Sequence, residues 1–467
     1  MDETLKCFDI LGVRMAQHVS FHYESLDELK EDIAKLGLDI PVSRDISILS
    51  QPIKIGDKTV PNRLAINPME GCDGMTDGRP SDLTRRRYQR FGEGGSGLVW
   101  YEATAVVNEG RANPRQLYIN KDTKNDLAAS LKEFYKAAAD AGHSRPYSVL
   151  QLTHSGRYSI PCGVPAPIVA VANPFLDANL PRIHVISDKE LEQLEEKFVD
   201  AAEMAMEAGF DAVDIKACHT YLLSELLSAH TRKGPYGGSF ENRSRALCNI
   251  IDKIRIKLGD KITLAVRLGT YNQLPHPYAW GADTDDYRKP DFTEPIQLMQ
   301  ILWEKGVKLF GASLGSPYYN PHLTRPYNQG SYIPPVHPLE GVHLLLSAAK
   351  AMQVAVPEAV IMNAGLSWLR QFAPNVAAGC IEQGWLKLAG FGRQAIAYPG
   401  FAAEILRTGA LDPRRTCEGC GQCTTIMRDG GCTGCVVRDK EVYVPIYKKG
   451  REGKPPVKSN RVVAEHF

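Results

Sequence analysis

Five of the eleven cysteines in this 467-residue sequence stand close together near its C-terminal end. They are Cys417, Cys420, Cys423, Cys432 and Cys435. Closely spaced thiolates followed by a more distant one suit an iron–sulfur cubane, in which each of four irons takes one thiolate. Two Cys-x2-Cys pairs can instead bind zinc tetrahedrally. The spacing therefore predicts an iron–sulfur cluster or a zinc site, with free thiols as the third alternative.

A second group of reactive side chains lies where the apolar segment DAVDIKACH gives way to a loop. Lys216, His219 and Tyr221 follow one another there. A cation, an imidazole and a phenol at one strand end can bind an anion and donate a proton. The alternative is a structural lysine beside a hydrogen-bonded histidine.

Other predicted strands end in polar or glycine-rich segments as well. Arg267 lies inside an apolar strand, where it needs either a carboxylate partner or an electron-rich cofactor edge. Glycine-rich loops after the last two strands can bind phosphate through backbone N–H groups and a guanidinium, although simple turns are the alternative. The residues of these loops are Asn363, Ala364, Gly365, Gly392 and Arg393.

The elements that must position these residues alternate along the chain. Amphipathic segments separate short apolar runs, and the clearest one has a capping box at Ser187 and Glu190 and a stop at Gly209. Eight such pairs predict an α/β protein with a (β/α)8 TIM barrel, and an open doubly wound sheet is the alternative. The eight runs span residues 64–69, 97–106, 147–156, 211–219, 262–269, 309–316, 359–366 and 386–392.

We expect three parts in the chain. Residues 1–50 contain one predicted helix and form an N-terminal cap segment, residues 51–410 form the barrel, and residues 411–467 form a Cys-rich extension. The net charge of +1 gives no reason to expect a nucleic acid or an anionic membrane as partner. Neither a secretory signal nor a membrane span is recognisable, so we expect a cytoplasmic protein whose thiols stay reduced.

The order of several motifs resembles the Old Yellow Enzyme family of FMN oxidoreductases. These motifs are PNRLAINPME, YEATAV, QLTHSGR, DAVDIKACHTYLLSELLSAHTR, YGGSFENRSR, AVRL and GFGR, spread over about residues 51–410. The resemblance implies that FMN lies across the barrel mouth, with Gln151 at its pyrimidine edge, Arg267 near N1 and O2, and its phosphate at the last two loops. The cofactor-binding residues that it implies are Pro68, Met69, Glu70, Ala103, Gln151, Arg267, Asn363, Ala364, Gly365, Gly392 and Arg393.

The resemblance also suggests an activity. Tyr221 matches the residue that protonates the substrate of ene-reductases after hydride transfer from flavin N5. Lys216 and His219 stand where the family binds the substrate's carbonyl oxygen, but the usual first residue is histidine, and Thr220 replaces a usual glycine. Glu70 stands where a cysteine or threonine often tunes the flavin, so we expect its carboxyl to be protonated, turned away or paired with Lys216.

The cysteine spacing resembles the iron–sulfur branch of this family, exemplified by 2,4-dienoyl-CoA reductase and trimethylamine dehydrogenase. That branch implies a [4Fe-4S] cluster on Cys417, Cys420, Cys423 and Cys435, with Cys432 spare. Its members carry a further nucleotide-binding module, which we do not expect here. Electrons would then come from a partner protein or from NAD(P)H that docks at the barrel mouth.

Three functional hypotheses follow. The first is an FMN enzyme that reduces an activated C=C bond of a small molecule, with Tyr221 as proton donor. The second is an FMN and iron–sulfur dehydrogenase that oxidises an amine or alcohol and passes electrons to a partner. The third is a zinc-stapled scaffold without redox turnover. We expect a homo-oligomer in each case.

Overall fold

The computed structural model describes residues 18–178, 180 and 182–455. The parts of the predicted N-terminal cap segment and Cys-rich extension in residues 1–17 and 456–467 lie outside these described residues.

Eight parallel strands form the sheet at the centre of the structure. Each strand pairs with its neighbours in chain order, the last pairs with the first, and a bridge between Met362 and Leu388 joins the seventh strand to the start of the eighth. The sheet therefore closes, which confirms the predicted (β/α)8 barrel and excludes the open sheet. The strands are Leu64–Ile66 (β1), Leu98–Ala105 (β2), Tyr147–Thr153 (β3), Ala212–Ile215 (β4), Thr263–Gly269 (β5), Val307–Ser313 (β6), Val360–Met362 (β7) and Ala389–Phe391 (β8).

Helices follow the strands and cover the outside of the barrel. The predicted capping box forms at the third of them, where Ser187 caps the helix, and Gly209 ends it with a positive φ of 96°. The main helices are Asp82–Glu93 (α1), Lys124–Asp140 (α2), Asp188–Ala208 (α3), Phe240–Leu258 (α4), Thr293–Glu304 (α5), Pro338–Ala355 (α6), Ala373–Glu382 (α7) and Phe401–Thr408 (α8). Short helices in the connections are Pro174–Asp177, Leu222–Leu227, Pro321–Thr324 and Arg393–Ala397.

A β-hairpin closes the N-terminal end of the barrel. Its strands, Ile53–Ile55 and Lys58–Val60, are antiparallel, and Ile55 and Val60 are buried with inward-facing barrel residues such as Trp100. Apolar packing therefore fills this end. The opposite end, where the strands finish and the loops begin, is left for a functional site.

Residues 18–50 pack on the outside of the barrel. They contain the predicted helix, Leu26–Lys35, which Ser25 caps. Leu29 and Ile33 of this helix are buried in the main hydrophobic core. Nearby, Tyr23 contacts Trp368 edge to face, so this segment covers the barrel beside the loop that follows β7.

The Cys-rich segment contains two helices that the sequence pattern did not predict, Gln422–Arg428 and Lys440–Arg451. They pack together through a small core that includes Ile426 and Tyr443. The segment is bound to the barrel, since Thr433 N donates to the carbonyl of Gly71 at 2.7 Å. None of the helices in the described part of the chain is long and apolar enough to cross a membrane.

Candidate active site

A cavity of about 380 Å³ lies at the C-terminal ends of the strands. All the residues predicted for catalysis and cofactor binding line it, with the exception of Asn363. The Asn363 side chain is fully buried behind the wall, where its Oδ1 accepts a hydrogen bond from Gly390 N at 2.9 Å. The structure therefore places Asn363 as a support for β8 rather than in the cavity wall.

A buried carboxylate, Asp214 on β4, fixes one side of the cavity. It accepts hydrogen bonds from Gln151 Nε2 at 2.6 Å, Trp100 Nε1 at 2.9 Å and the backbone N of Arg267 at 2.6 Å. Burial raises its pKa to about 6, so Asp214 is ionised at neutral pH and can only accept. The amide nitrogen of Gln151 therefore faces Asp214, and its carbonyl oxygen remains available to a donor in the cavity.

Arg267 extends from β5 into the same side of the cavity. Its Nη1 donates to the carbonyl of Pro68 at 3.3 Å, and its Nε is buried without a hydrogen-bond partner among the described residues. A buried guanidinium with an unused donor points to an acceptor that binds beside it. The unused Arg267 N–H can donate to an acceptor, and the free Gln151 oxygen can accept from an N–H. Together they fit a planar group that carries both an acceptor and an N–H.

Lys216 and Tyr221 form the next part of the wall. The ammonium of Lys216 lies 3.5 Å from the ring centroid of Tyr221, and the Tyr221 hydroxyl shares a 3.0 Å hydrogen bond with that of Tyr318. Burial lowers the pKa of Lys216 to about 8 and raises that of Tyr221 well above its ordinary value. At neutral pH, Lys216 is therefore mainly a cation and Tyr221 a neutral phenol that can donate its proton.

His219 and Thr220 adopt an unusual backbone conformation beside them. Both have positive φ angles, 66° and 56°, which residues other than glycine rarely adopt. His219 Nε2 lies 2.8 Å from Ser313 Oγ, while Thr220 Oγ1 shares a hydrogen bond with Tyr158 at 2.9 Å. Burial lowers the pKa of His219 well below its ordinary value, so it is a neutral imidazole. The strained turn directs His219 and Tyr221 toward the cavity.

Glu70 faces the cavity from the loop after β1. It accepts a hydrogen bond from Asn113 Nδ2 at 2.6 Å and forms no direct ion pair with Lys216. Burial raises the pKa of Glu70 to about 7, although the nearby Lys216 cation acts in the opposite direction. Of the three expected states, a carboxyl that is partly protonated at neutral pH describes the structure best.

Three guanidinium groups lie at the other end of the cavity. Arg325, Arg393 and Arg428 line it close to Gly365 and Gly392, and none of them forms an ion pair with a carboxylate in the described part of the chain. Arg325 is held by a hydrogen bond from its Nη2 to Thr424 Oγ1 at 3.2 Å. Unpaired guanidiniums in a cavity fit a phosphate dianion, because each can donate two hydrogen bonds to it.

The Cys-rich segment forms a second, smaller cavity beside the first. Its wall contains Cys417, Cys420, Cys423 and Cys435, and it shares Arg393, Ile396 and Cys423 with the first cavity. Arg438 N donates to the Cys435 sulfur at 3.3 Å, as do backbone N–H groups that stabilise cluster thiolates. Within the described residues, however, no group of three or more His, Cys, Asp or Glu side chains is arranged to hold a metal ion.

Cys432 lies apart from these four thiols. It is buried in the small core of the segment, with Ile426, Val436 and Tyr443. Burial raises its pKa to about 11, as expected for an inert apolar thiol. The side chain therefore contributes to packing and does not line the second cavity.

Several residues that line or support the cavity wall were not predicted from the sequence. Tyr318 and Arg325 lie in the long connection after β6, which has no periodic pattern, and Asp214 looked like an ordinary residue inside an apolar strand. The sequence did offer one indication for Asp214, since it is a charged residue in a strand that is otherwise apolar and buried on both faces.

The comparisons with known proteins agree with this architecture. A family model described as the NADH:flavin oxidoreductase / NADH oxidase family matches residues 48–284. The chain belongs to this family. It is therefore a flavin-dependent oxidoreductase, and the expected resemblance to Old Yellow Enzymes is confirmed.

Three similar proteins show how much of the chain is matched. An NADPH dehydrogenase of Geobacillus sp. (strain WCH70) is 32% identical over 276 residues, 58% of this chain and 74% of the relative. A cinnamate reductase of Clostridium sporogenes is 26% identical over 416 residues, 84% of this chain and 58% of the relative. A solved 2-naphthoyl-CoA reductase in complex with 2-naphthoyl-CoA has a TM-score of 0.69 at 22% identity, covering 87% of this chain and 58% of that one. The chain thus spans less than two thirds of the latter two proteins.

Proposed function

We propose that this protein is an FMN-dependent ene-reductase that reduces the C=C bond of an anionic, electron-poor alkene. In this proposal, residues 51–410 form the flavin-binding barrel, residues 411–467 form a cluster-binding extension, and residues 1–50 cover the barrel. The observation that carries the proposal is the placement of the Tyr221 hydroxyl and the Lys216 ammonium in one wall of the cavity.

The described side chains fit FMN at both ends of the cavity. The free oxygen of Gln151 and the orphaned Nε of Arg267 suit the N–H and carbonyl groups of the pyrimidine edge. Arg325 and Arg393 suit the phosphate. Pro68, Met69, Glu70, Ala103, Ala364, Gly365 and Gly392 would complete the contacts. When bound, FMN supplies a hydride at N5.

Tyr221 is the proposed proton donor. Its hydroxyl is buried, and the Lys216 cation next to its ring would stabilise the negative charge that Tyr221 acquires when it gives up its proton. His219 is neutral and would orient the substrate's carbonyl oxygen through a hydrogen bond. Lys216 would contribute positive charge to the same oxygen.

The charge of the cavity supports an anionic substrate. Among the described residues, its wall contains five basic side chains and one acidic side chain, Glu70. An FMN phosphate would neutralise the basic groups at its own end, which leaves Lys216 as the cation nearest to Tyr221. A carboxylate next to the C=C bond would match this cation by charge. A thioester would activate the alkene more strongly, and the same cation would stabilise its carbonyl oxygen as negative charge develops there. The similarity to a cinnamate reductase supports the same substrate class.

We also propose that Cys417, Cys420, Cys423 and Cys435 bind a [4Fe-4S] cluster. Their donor set is four thiols with backbone N–H groups beside them, which suits such a cluster. Zinc is the alternative ligand for the same thiols. The wall that the two cavities share would allow electrons from a partner protein to pass through the cluster to the flavin. NAD(P)H that docks at the barrel mouth is the alternative source of electrons.

Oxidation of an amine is the weaker candidate. An alkylammonium substrate would have to bind beside the Lys216 cation, and like charges in a buried site repel strongly. An alcohol would avoid this repulsion, so a reaction in the oxidative direction requires a neutral substrate.

An anaerobic experiment tests the proposed function. The flavin of the purified protein is photoreduced and mixed with trans-cinnamate, 2-cyclohexenone or a candidate enoyl thioester, and its reoxidation is followed at about 450 nm. We expect at least one alkene to reoxidise the flavin. Tyr221→Phe should slow this reaction by a factor of about 100 or more, because general acid catalysis contributes about 10²–10⁴-fold.

The controls separate chemistry from binding. Tyr221→Phe should retain FMN, because the residues proposed to hold its pyrimidine edge and its phosphate are unchanged. If no alkene reoxidises the wild-type flavin, the ene-reductase proposal is wrong, and bleaching of oxidised flavin by an amine or alcohol would favour dehydrogenation. Iron and sulfide analysis decides between a cluster and zinc.

A further inference from the structure

The proton that Tyr221 gives away has to be replaced after each turnover. Tyr221 is only 3% exposed, and its hydroxyl has no hydrogen-bond partner other than Tyr318 among the described residues. Direct contact with bulk solvent is therefore poor while a ligand fills the cavity. The single hydrogen bond to Tyr318 is the connection through which a proton can reach Tyr221.

Tyr318 is suited to this connection because its ring is fixed by stacking while its side chain keeps accessible surface. Its ring stacks on that of Tyr158 with 3.9 Å between the centroids and 18° between the planes, and its backbone N donates to Ser316 Oγ at 3.3 Å. The residue is nevertheless 46% exposed. The stacking holds the hydroxyl of Tyr318 toward Tyr221, and the accessible surface of the Tyr318 side chain gives water a contact that Tyr221 lacks.

We propose that Tyr318 relays protons from solvent to Tyr221. After Tyr221 has transferred its O–H proton to the substrate carbon, the proton of the Tyr318 hydroxyl moves to the Tyr221 oxygen. Water at the cavity opening then donates a proton to the Tyr318 oxygen and leaves hydroxide in solution. No electrons move in these steps, and the net result is one proton taken from solvent for each alkene reduced.

This inference rests on the proposed ene-reductase function and goes further than it. Tyr318 acts on the substrate only through Tyr221, so it is a positioning residue rather than a catalytic one. A residue that merely supports the fold would affect the first turnover and later turnovers equally. A relay affects later turnovers only, because the first proton is already on Tyr221 when the reaction starts.

The experiment compares single and multiple turnovers of Tyr318→Phe, which removes one hydroxyl and keeps the ring. For the single turnover, photoreduced protein is mixed anaerobically with the alkene that the wild type reduces. For multiple turnovers, dithionite is supplied at a concentration above which the rate no longer increases. We expect the single-turnover rate to change less than twofold and the steady-state rate to fall at least tenfold.

Two further measurements complete the test. Imidazole buffer, a small proton donor, should restore most of the lost steady-state rate of Tyr318→Phe. Tyr319→Phe, in the same loop, is the matched control, because the Tyr319 side chain does not line the cavity. Both rates of this control should remain within twofold of wild type.

Each outcome has a distinct meaning. If Tyr318→Phe alters both rates by the same factor, or neither, the relay is refuted and the ene-reductase function stands. If its steady-state rate falls but imidazole does not restore it, the relay is refuted as well. If the wild type itself reduces no alkene, the proposed function fails and the relay fails with it. The FMN content of each variant shows whether the site has kept its fold.

Discussion

Replacing Lys216 by methionine should move activity and stability in opposite directions. Methionine has a similar length and removes the cation that lies 3.5 Å from the Tyr221 ring centroid. The charge assists the reaction when negative charge develops on Tyr221 or on the substrate oxygen, whereas its burial destabilises the fold at all times. The substitution should therefore change both the activation free energy of proton transfer and the free energy of unfolding.

The effect on the rate follows from Coulomb's law. The hydroxyl oxygen of a phenol lies off the ring centre, so the ammonium is about 4.5 Å from the Tyr221 oxygen, and an effective dielectric constant of about 20 gives about 4 kcal/mol for a full phenolate charge. If about half of that charge has developed in the transition state, the loss is about 2 kcal/mol. Proton transfer should then slow about thirtyfold.

The effect on stability follows from the pKa of Lys216, which burial lowers from 10.5 to about 8. That difference corresponds to a cost of about 3 kcal/mol for keeping the cation in the folded protein. The cost is fully present below pH 8. It disappears as the pH rises toward 10.5, because the folded protein releases the proton first. Lys216→Met should therefore raise the free energy of unfolding by up to about 3 kcal/mol at pH 7, and by much less at pH 10.

Stopped-flow reoxidation of the reduced flavin and urea unfolding measure the two quantities. Lys216→Arg, which keeps the charge, is the matched control and should retain most of the rate. A Lys216→Met variant that reoxidises as fast as wild type would refute the stabilisation of the Tyr221 anion. A variant that is no more stable at pH 7 than wild type would show that Lys216 has a compensating contact.

Three further experiments test separate parts of the site. Cys435→Ser should abolish bound iron and sulfide, as measured by elemental analysis, whereas Cys432→Ser should retain both, because only Cys435 of these two lines the second cavity. Equal loss in the two variants would contradict the assigned ligand set. Arg267→Ala should lower the two-electron midpoint potential of the flavin by about 30–60 mV, since a charged hydrogen bond contributes about 1.5–3 kcal/mol. A dye-equilibration titration measures this potential, and an unchanged value would show that Arg267 does not lie at the flavin edge. Asp214→Asn should weaken FMN binding about tenfold to a hundredfold in a fluorescence titration, because it no longer fixes the Gln151 amide; wild-type affinity would contradict that role.

The barrel could be predicted from the sequence because its strands are buried on both faces. Such strands appear as apolar runs, and all eight are present in the structure. Local rules also identified the capping box at Ser187, since a cap depends on neighbouring residues only. Asn363 shows the limit of the same reasoning. Its place at the end of β7 was correct, but only the packing against Gly390 shows that its side chain lies behind the wall.

The residues that sequence reasoning missed depend on contacts between distant parts of the chain. Tyr318 belongs to an irregular loop, and it becomes relevant only because that loop folds back onto Tyr221, 97 residues away. The helices of the Cys-rich segment are short, and Pro445 lies inside the second one, so periodicity and propensity gave no signal there. Tertiary packing supplies the stability that their own sequences do not.

The closure of the ring has a consequence for how two reactants reach the flavin. In a circle of eight strands, β4 and β8 lie diametrically opposite each other, and they hold Lys216 and Arg393 respectively. In the proposed function, the alkene would thus approach from the β4 side, whereas electrons from the second cavity would arrive through the shared wall at Ile396, on the β8 side. With the proposed cluster and alkene in these positions, the two routes would not overlap, and the flavin could be reduced while the organic ligand is still bound.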